Sequence, residues 1–325
     1  MEDLKSKNRL QIYIFAANHQ TCGSKPFTLN RNQILGFIFV VISAICFSSK
    51  GVLIKLAYVE HIDAISLLTF RMLFSFPFFA GIAIADIFKK QPVATDKKDL
   101  ILVIFLGLIG YYLSSLLDFY GLEYISAGLE RLILFIYPTM VAILAAIFFK
   151  KSITKPMVIS LLITYAGILL VVIYDITIKG SGLYLGIALI FLCAVLFSIY
   201  LVFSDSLVHK FGSVRYTSYI MLTSSIGVFA HFLIEKDIST LFNYSPKVYY
   251  LAIILAVFGT VIPSYLMTDG IKKIGARNTS ITATLGPVWT IIFAYIVLQE
   301  EINFVQIAGT ILVVTGVLIA NLNKS

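Results

Sequence analysis

Charge is scarce in this chain: Asp, Glu, Lys and Arg make up 13% of its 325 residues, where a soluble domain carries roughly 25%. Hydrophobic residues make up 59% and the mean hydropathy is +0.94, so a water-soluble fold is excluded, because too few polar groups remain to cover the apolar mass. Cysteine is scarce too. Cys22, Cys46 and Cys193 have no spacing that suggests a metal site or a disulfide framework. The four histidines, His19, His61, His209 and His231, fall in the tail, in loops or near a helix end, and there is no HExxH, GxSxG or GxxxxGK[ST]. No cofactor or metal is therefore expected, and the pattern speaks against an intramembrane enzyme and a self-contained ATP-driven pump. A net charge of +8 would point to nucleic acid if the basic residues clustered with aromatics on a soluble face. Here they stand between apolar runs, so no nucleic-acid partner is expected.

Long apolar runs are what the chain has. They fall at 35–58, 64–85, 100–120, 126–148, 156–174, 183–204, 214–234, 248–269, 278–298 and 304–321, each near the roughly 20 residues a membrane-spanning helix needs. Residues 1–32 read as a flexible cytosolic tail. Leu10 to Ala17 could form a weak signal core behind Lys5, Lys7 and Arg9, but no convincing cleavage pattern follows. The tail and alternate connections carry 18 Lys and Arg, whereas the opposite connections carry only Lys179, Lys236 and Lys247. The positive-inside rule then places both termini in the cytoplasm, and one helix more or fewer would destroy the alternation.

The chain also repeats itself. At a constant offset of 149, Gly110 meets Gly259, Gly121 meets Gly270, Ala127 meets Ala276, Pro138 meets Pro287 and Gly167 meets Gly316. At offset 150, the stretch from Leu35 aligns with that from Leu185, sharing Gly36/Gly186, Ala44/Ala194, Phe47/Phe197 and Ser48/Ser198. Two gap-free glycine and proline frameworks imply two halves, 33–176 and 177–325, of five helices each. An odd number sends the second half into the membrane from the opposite side. The expected fold is an all-α polytopic membrane protein of ten transmembrane helices in two inverted five-helix repeats, the arrangement that lets a central site open to alternate sides.

Three stretches, FSSKGVLIKLA at 47–57, YPTMVAILAAIFF at 137–149 and GPVWTIIFAYIVLQEEINFVQIAGTILVVTGVLI at 286–319, resemble the EamA branch of the drug/metabolite transporter superfamily. The likeness covers nearly the whole chain after residue 33 and is strongest at Pro287, Glu300, Gln306, Gly309 and Gly316; the first half departs from it with Lys150-Lys151-Ser152 where the second has Gln299-Glu300-Glu301. The resemblance implies a plasma-membrane (bacterial inner-membrane) transporter with a cavity between the halves, usually moving amino acids or other small metabolites outward. It names no single solute.

Four cations lie on predicted helices, Lys50, Lys55, Arg71 and Arg131, all in the first half. Each needs a partner, a watery cavity or an escape to the interface. Lys55 is near the outer end of its helix and reads as snorkelling. Lys50 lies about 6 Å outward of the first helix's midpoint, deep enough to be the leading site candidate, with a buried ion pair as the plain alternative. Arg71 is either a second site residue or an architectural one. Asp118 and Glu130 are the acids of the same region, and Glu130 and Arg131 point roughly 100° apart on their helix, so each must look elsewhere. Three cations against two acids favour a solute bearing a carboxylate or phosphate. Tyr137, Tyr200 (the counterpart of Lys50) and Thr282 complete the expected pathway.

Pro138 and Pro287, read as lying mid-helix, are either passive kinks or hinges of a rocking motion. Small residues at Ser160/Gly167 and Gly309/Gly316 on the fifth and tenth helices serve close packing within the chain or a homodimer contact. The expected partners are thus a small-molecule solute, the lipid bilayer and a second copy through those helices. Two functions stay open: a secondary transporter, and a membrane scaffold or sensor that keeps the fold without transport.

Overall fold

A computed structural model of the chain describes residues 31–89, 96–149, 155–179, 182–283, 286–300 and 303–322, so the tail and its Cys22 lie outside the described residues. Every regular element among them is helical. Seven helical segments are long and apolar enough to cross a membrane by length and composition: α1 (Arg31–Tyr58), α2 (Ala64–Lys89, of which Ala64–Asp86 qualifies), α3 (Lys97–Tyr124), the paired α4 (Ala127–Leu134) and α5 (Tyr137–Phe149), α7 (Leu183–Phe211), α8 (Ser213–Glu235) and α9 (Pro246–Gly275). Three shorter apolar stretches accompany them, within α6 (Lys155–Lys179), over α11 (Gly286–Leu298) and within α12 (Phe304–Leu322). A further helical turn, α10, spans residues 276–282 beyond Gly275. The molecule is a polytopic membrane protein.

Local chemistry sets the breaks. Gly275 takes φ +78° and Gly212 φ +81°, a region that glycine enters without steric cost, and these separate α9 from α10 and α7 from α8. Ser126 caps α4 by accepting the Leu129 N–H at 3.3 Å. At the other end of α4 the Ile136 N–H bonds Ile133 O at 3.0 Å, a tightened turn that ends the helix. The chain restarts at Tyr137 with Pro138 second, whereas residues 284–285, ahead of Gly286-Pro287, lie outside the described residues. This corrects the expectation of a mid-helix proline at Pro138: it sits in a first turn, where a missing N–H costs nothing because no intrahelical acceptor is in place. Any hinge action belongs to the break ahead of Pro138, not to a kink inside a continuous rod.

Packing follows the offset found in the sequence. α1 runs along α9 and touches α11, as α7 runs along α3 and touches α5; α2 lies on α8 and α6 on α12. π-helical turns occur at Leu108–Leu113 and at Val257–Val261, the same place in the two framework copies. The Ser48 hydroxyl donates to Gly286 O at 2.9 Å, and its counterpart Ser198 donates to Tyr137 O at 3.3 Å. Along α6 and α12 the small residues are taken up inside the chain: a Cβ on Gly309 would stand 2.9 Å from Gly167 O, and one on Gly316 would stand 2.9 Å from Ser160 O. The stripe that suggested a homodimer is therefore a packing seam within one protomer, as small residues in membrane helices allow.

Ion pairs join helix ends and connections that the charge count assigns to one side. Arg215 Nε meets Asp86 Oδ2 at 2.7 Å and Lys210 pairs with Asp99; at the other end Lys236 Nζ meets Asp63 Oδ2 at 2.6 Å and Lys247 Nζ meets Glu60 Oε1 at 2.7 Å. Burial works against a charged Asp63, but hydrogen bonds from Lys236, the Ser66 N–H at 3.0 Å and the Tyr244 hydroxyl at 2.9 Å outweigh it and hold the carboxyl below its usual value. A depressed carboxylate contributes stability above its unfolded pKa, about 3.9, and loses it as pH falls through the folded value. Asp63→Asn is expected to lower Tm by a few degrees at pH 7, with the gap to wild type closing below about pH 4. Thermal unfolding of both proteins across pH checks this.

Candidate solute site

The cavity lies where α1, α2, α3, α4, α7 and the π turn of α9 meet, and holds about 760 Å³ of empty space with its mouth included. Lys50, Arg71, Asp118, Arg131 and Tyr137 all line it, so helices far apart in sequence bring five predicted site residues to one chamber. Phe47, Phe135, Phe197 and Tyr111 form apolar walls, and Ser114, Ser115, Thr260 and Cys193 add small polar edges.

Each cation is handled differently. Lys50 Nζ contacts Asp118 Oδ2 at 2.6 Å, with side-chain exposures of 14% and 0%, so the lysine reaches open space and the acid does not. Arg131 is anchored by neutral groups: Nε donates to Thr290 Oγ1 at 3.1 Å and Nη2 to Ser48 Oγ at 3.2 Å, while its guanidinium lies 5.9 Å from the Phe135 ring centre. Arg131 does look away from Glu130, toward α1 and α11. Arg71 is 3% exposed with its guanidinium 5.0 Å from the Phe119 ring centre, and its Nε and Nη2 have no hydrogen-bond partner among the described residues. Those two neighbouring N–H groups form the side-on edge of the guanidinium, the one that grips a carboxylate or phosphate with two parallel bonds. A buried donor pair left open is costly, so this edge is the feature that most calls for a ligand.

Three predicted residues fall elsewhere. Tyr200 stands behind Tyr111, ring centres 5.1 Å apart, and stacks on Tyr216, whose hydroxyl is 2.6 Å from Ser204 Oγ. Tyr200 nonetheless shapes the chamber, because a Cβ on Gly110 would stand 2.5 Å from it. Glu130 is 1% exposed and does not line the cavity; its carboxyl lies against Gly51 of α1, where a Cβ would stand 3.1 Å from Oε2. The Thr282 hydroxyl bonds Asn278 O at 2.8 Å on its own helical turn, and Ala283 is the neighbour that lines the cavity. Sequence reasoning missed Ser48, Thr290 and the aromatic walls. Ser48/Ser198 and Phe47/Phe197 were visible as repeat markers, and their polar and aromatic chemistry was the available signal; nothing marked Thr290.

No group of three or more metal-ligating side chains occurs among the described residues. The thiol of Cys193 lies 3.2 Å from Ser114 Oγ, a neutral contact at the cavity wall.

Comparison with known proteins agrees with this architecture. The profile of the EamA-like transporter family matches residues 34–173 and again 184–322. The chain is 30% identical to the uncharacterized transporter YcbK of Bacillus subtilis (strain 168), over 88% of this chain and 93% of that protein. It is 31% identical to the uncharacterized transporter YyaM of the same organism, over 69% of this chain and 74% of that protein. An uncharacterized transporter of Archaeoglobus fulgidus is 29% identical over 68% and 78% of the two chains. A solved crystal structure of a protein superposes with a TM-score of 0.62 at 16% identity, covering 88% of this chain and 96% of that one, a likeness of fold. With two matches that together span nearly all of the described helices, the chain belongs to the EamA-like transporter family.

Proposed function

We propose that the chain is an alternating-access secondary transporter that moves a small metabolite bearing a carboxylate or phosphate, such as an amino acid or organic anion, outward across the plasma membrane. The observation that carries this reading is the buried, unpartnered side-on edge of Arg71, a residue that lines the same chamber as the Lys50–Asp118 pair and its aromatic walls. A charged head would bind Arg71, and an apolar remainder would rest against Phe47, Phe135 and Phe197.

In this reading the chain crosses the membrane ten times, in two inverted halves, 33–176 and 177–325, with both termini in the cytoplasm. The offset-related helix pairs, the matching π turns and the same-side ion pairs support it. Rocking of one half on the other would open the chamber to alternate faces, with the break ahead of Pro138 as a flex point. Any second copy would meet the outward face of α6 and α12, where Ile159, Leu162, Ile173 and Ile311 are exposed; the same side chains suit lipid.

A ligand that binds only the folded state raises stability by RT ln(1 + [L]/Kd), about 2.7 kcal/mol at 100 times Kd. Purified protein is therefore expected to gain several degrees in Tm with at least one member of a panel of amino acids and organic anions, and Arg71→Met to lose that gain. A flat response of wild type to the whole panel would contradict the solute site.

A further inference from the structure

The four ion pairs named above that join residues of 33–176 to residues of 177–325 are related two by two through the repeat. At one end of the molecule Glu60, in the α1–α2 connection, pairs with Lys247 at the start of α9; at the other end Lys210, near the end of α7, pairs with Asp99 at the start of α3. Asp63, just ahead of α2, meets Lys236, just past α8, while Arg215 in the first turn of α8 meets Asp86 in the last turn of α2. Glu60 and Lys210 stand 150 residues apart, as do Asp86 and Lys236; Asp63 and Arg215 are 152 apart, and Asp99 and Lys247 148. Each pair is therefore the counterpart of a pair at the far end, with the charges exchanged. All four acids belong to the first half and all four bases to the second.

We infer that these two sets of pairs are the latches of two gates, one at each end of the chamber, and that the chain opens to one side by releasing the set there while the other set stays formed. The tied elements are those around the chamber: α1, α2, α3, α7 and the π turn of α9 all contribute lining residues, and the pairs tie their ends and connections to one another or to α8. Arg71 stands on α2 between the two tied ends, 8 residues after Asp63 and 15 before Asp86, about 12 and 22 Å along a helix. Solute held at Arg71 thus has a latch on either side of it.

Ion pairs suit such a role because exposed ones give little net stability: water solvates the parted charges nearly as well as the partner does. The two ends differ in this respect. The side chains of Lys236 and Lys247 are 27% and 59% exposed, whereas those of Arg215 and Asp86 are 8% and 7%. Parting the buried pair strips a charge of its partner before water reaches it, so the end that holds Arg215 is the harder to open. The Tyr244 and Ser245 hydroxyls add bonds of 2.9 Å to Asp63 and 3.0 Å to Glu60 at the easier end. The use of the latches rests on the transport reading; the opening of each end is measured without flux.

Cys193 lines the chamber and is buried, so its reaction with a membrane-impermeant thiol reagent, mapped to that residue by mass spectrometry, reports opening. In intact cells and inside-out vesicles, Glu60→Gln/Asp63→Asn is expected to raise the rate from one face of the membrane only, and Asp86→Asn/Asp99→Asn from the opposite face only. The first gain is expected at roughly 2- to 30-fold, the population shift that loss of two exposed pairs permits, and the second at least as large. Glu60→Lys alone should act as the first variant does, and adding Lys247→Glu should return the rate to that of wild type, a rescue that a folding defect would not show. Asp237→Asn is the control and should leave the rate unchanged, because Asp237 is exposed in the α8–α9 connection and makes no ion pair among the described residues. Equal gains from both faces, wild-type rates in both double variants, or no rescue by the charge exchange overturns the latches. Face-selective labelling in a protein that moves no solute would uphold them and refute the transport reading instead.

Discussion

Lys50→Met is expected to lower solute flux by about 100-fold or more and to reduce thermal stability, because it leaves Asp118 buried without its cation, a loss of about 3–5 kcal/mol for a broken buried pair. Instability alone would confound the result. The double variant Lys50→Met/Asp118→Asn removes both charges together, and such replacements of a buried pair are often neutral for folding. It should return close to the wild-type Tm while flux stays low, since the exposed tip of Lys50, at 14% side-chain exposure, is then missing from the chamber. Recovery of flux along with stability would make the pair architectural. Vesicle flux and unfolding measured on the three variants decide between the two.

Gly309→Ala is expected to destabilise the chain by about 1–3 kcal/mol, the usual cost of forcing a methyl into a filled interface. The new Cβ would stand 2.3 Å from Val171 Cγ2 and 2.9 Å from Gly167 O. The second of these contacts is backbone and cannot swing aside, so α6 and α12 must separate. Gly81→Ala on α2 is the control: a Cβ there meets nothing within 4 Å, and alanine is about 1 kcal/mol the better helix former. Opposite signs of ΔTm for the two glycine substitutions are predicted; equal effects would contradict the seam between α6 and α12.

Much of this architecture was legible in the sequence because the membrane imposes it. Backbone groups in lipid must be satisfied within the segment, so apolar run length reports helices directly, and the gap-free glycine and proline frameworks mark positions where the structure packs helices closely. Gly110 against Tyr200 and Gly270 against Val40 are such meetings. Lys50 and Asp118 were legible as deep charges, and the bilayer left them little choice but to find each other. What stayed hidden depends on side-chain direction. Pro138 looked like a mid-helix kink because the apolar run continues through it, and only the turn at Ile136 reveals one helix ending and another starting. Thr282 and Ala283 are one residue apart, and a rotation of about 100° per residue decides which faces the chamber. Thr290 is one hydroxyl among many until Arg131 is placed against it.

Solute flux by the purified protein in liposomes tests the transport claim most directly. A panel of amino acids and organic anions, assayed with and without an imposed pH gradient, is predicted to yield saturable flux of at least one carboxylate- or phosphate-bearing solute, with Arg71→Met impaired. No flux for any solute across the panel, by protein that is folded and inserted, would contradict the transporter and leave a membrane scaffold or sensor in its place.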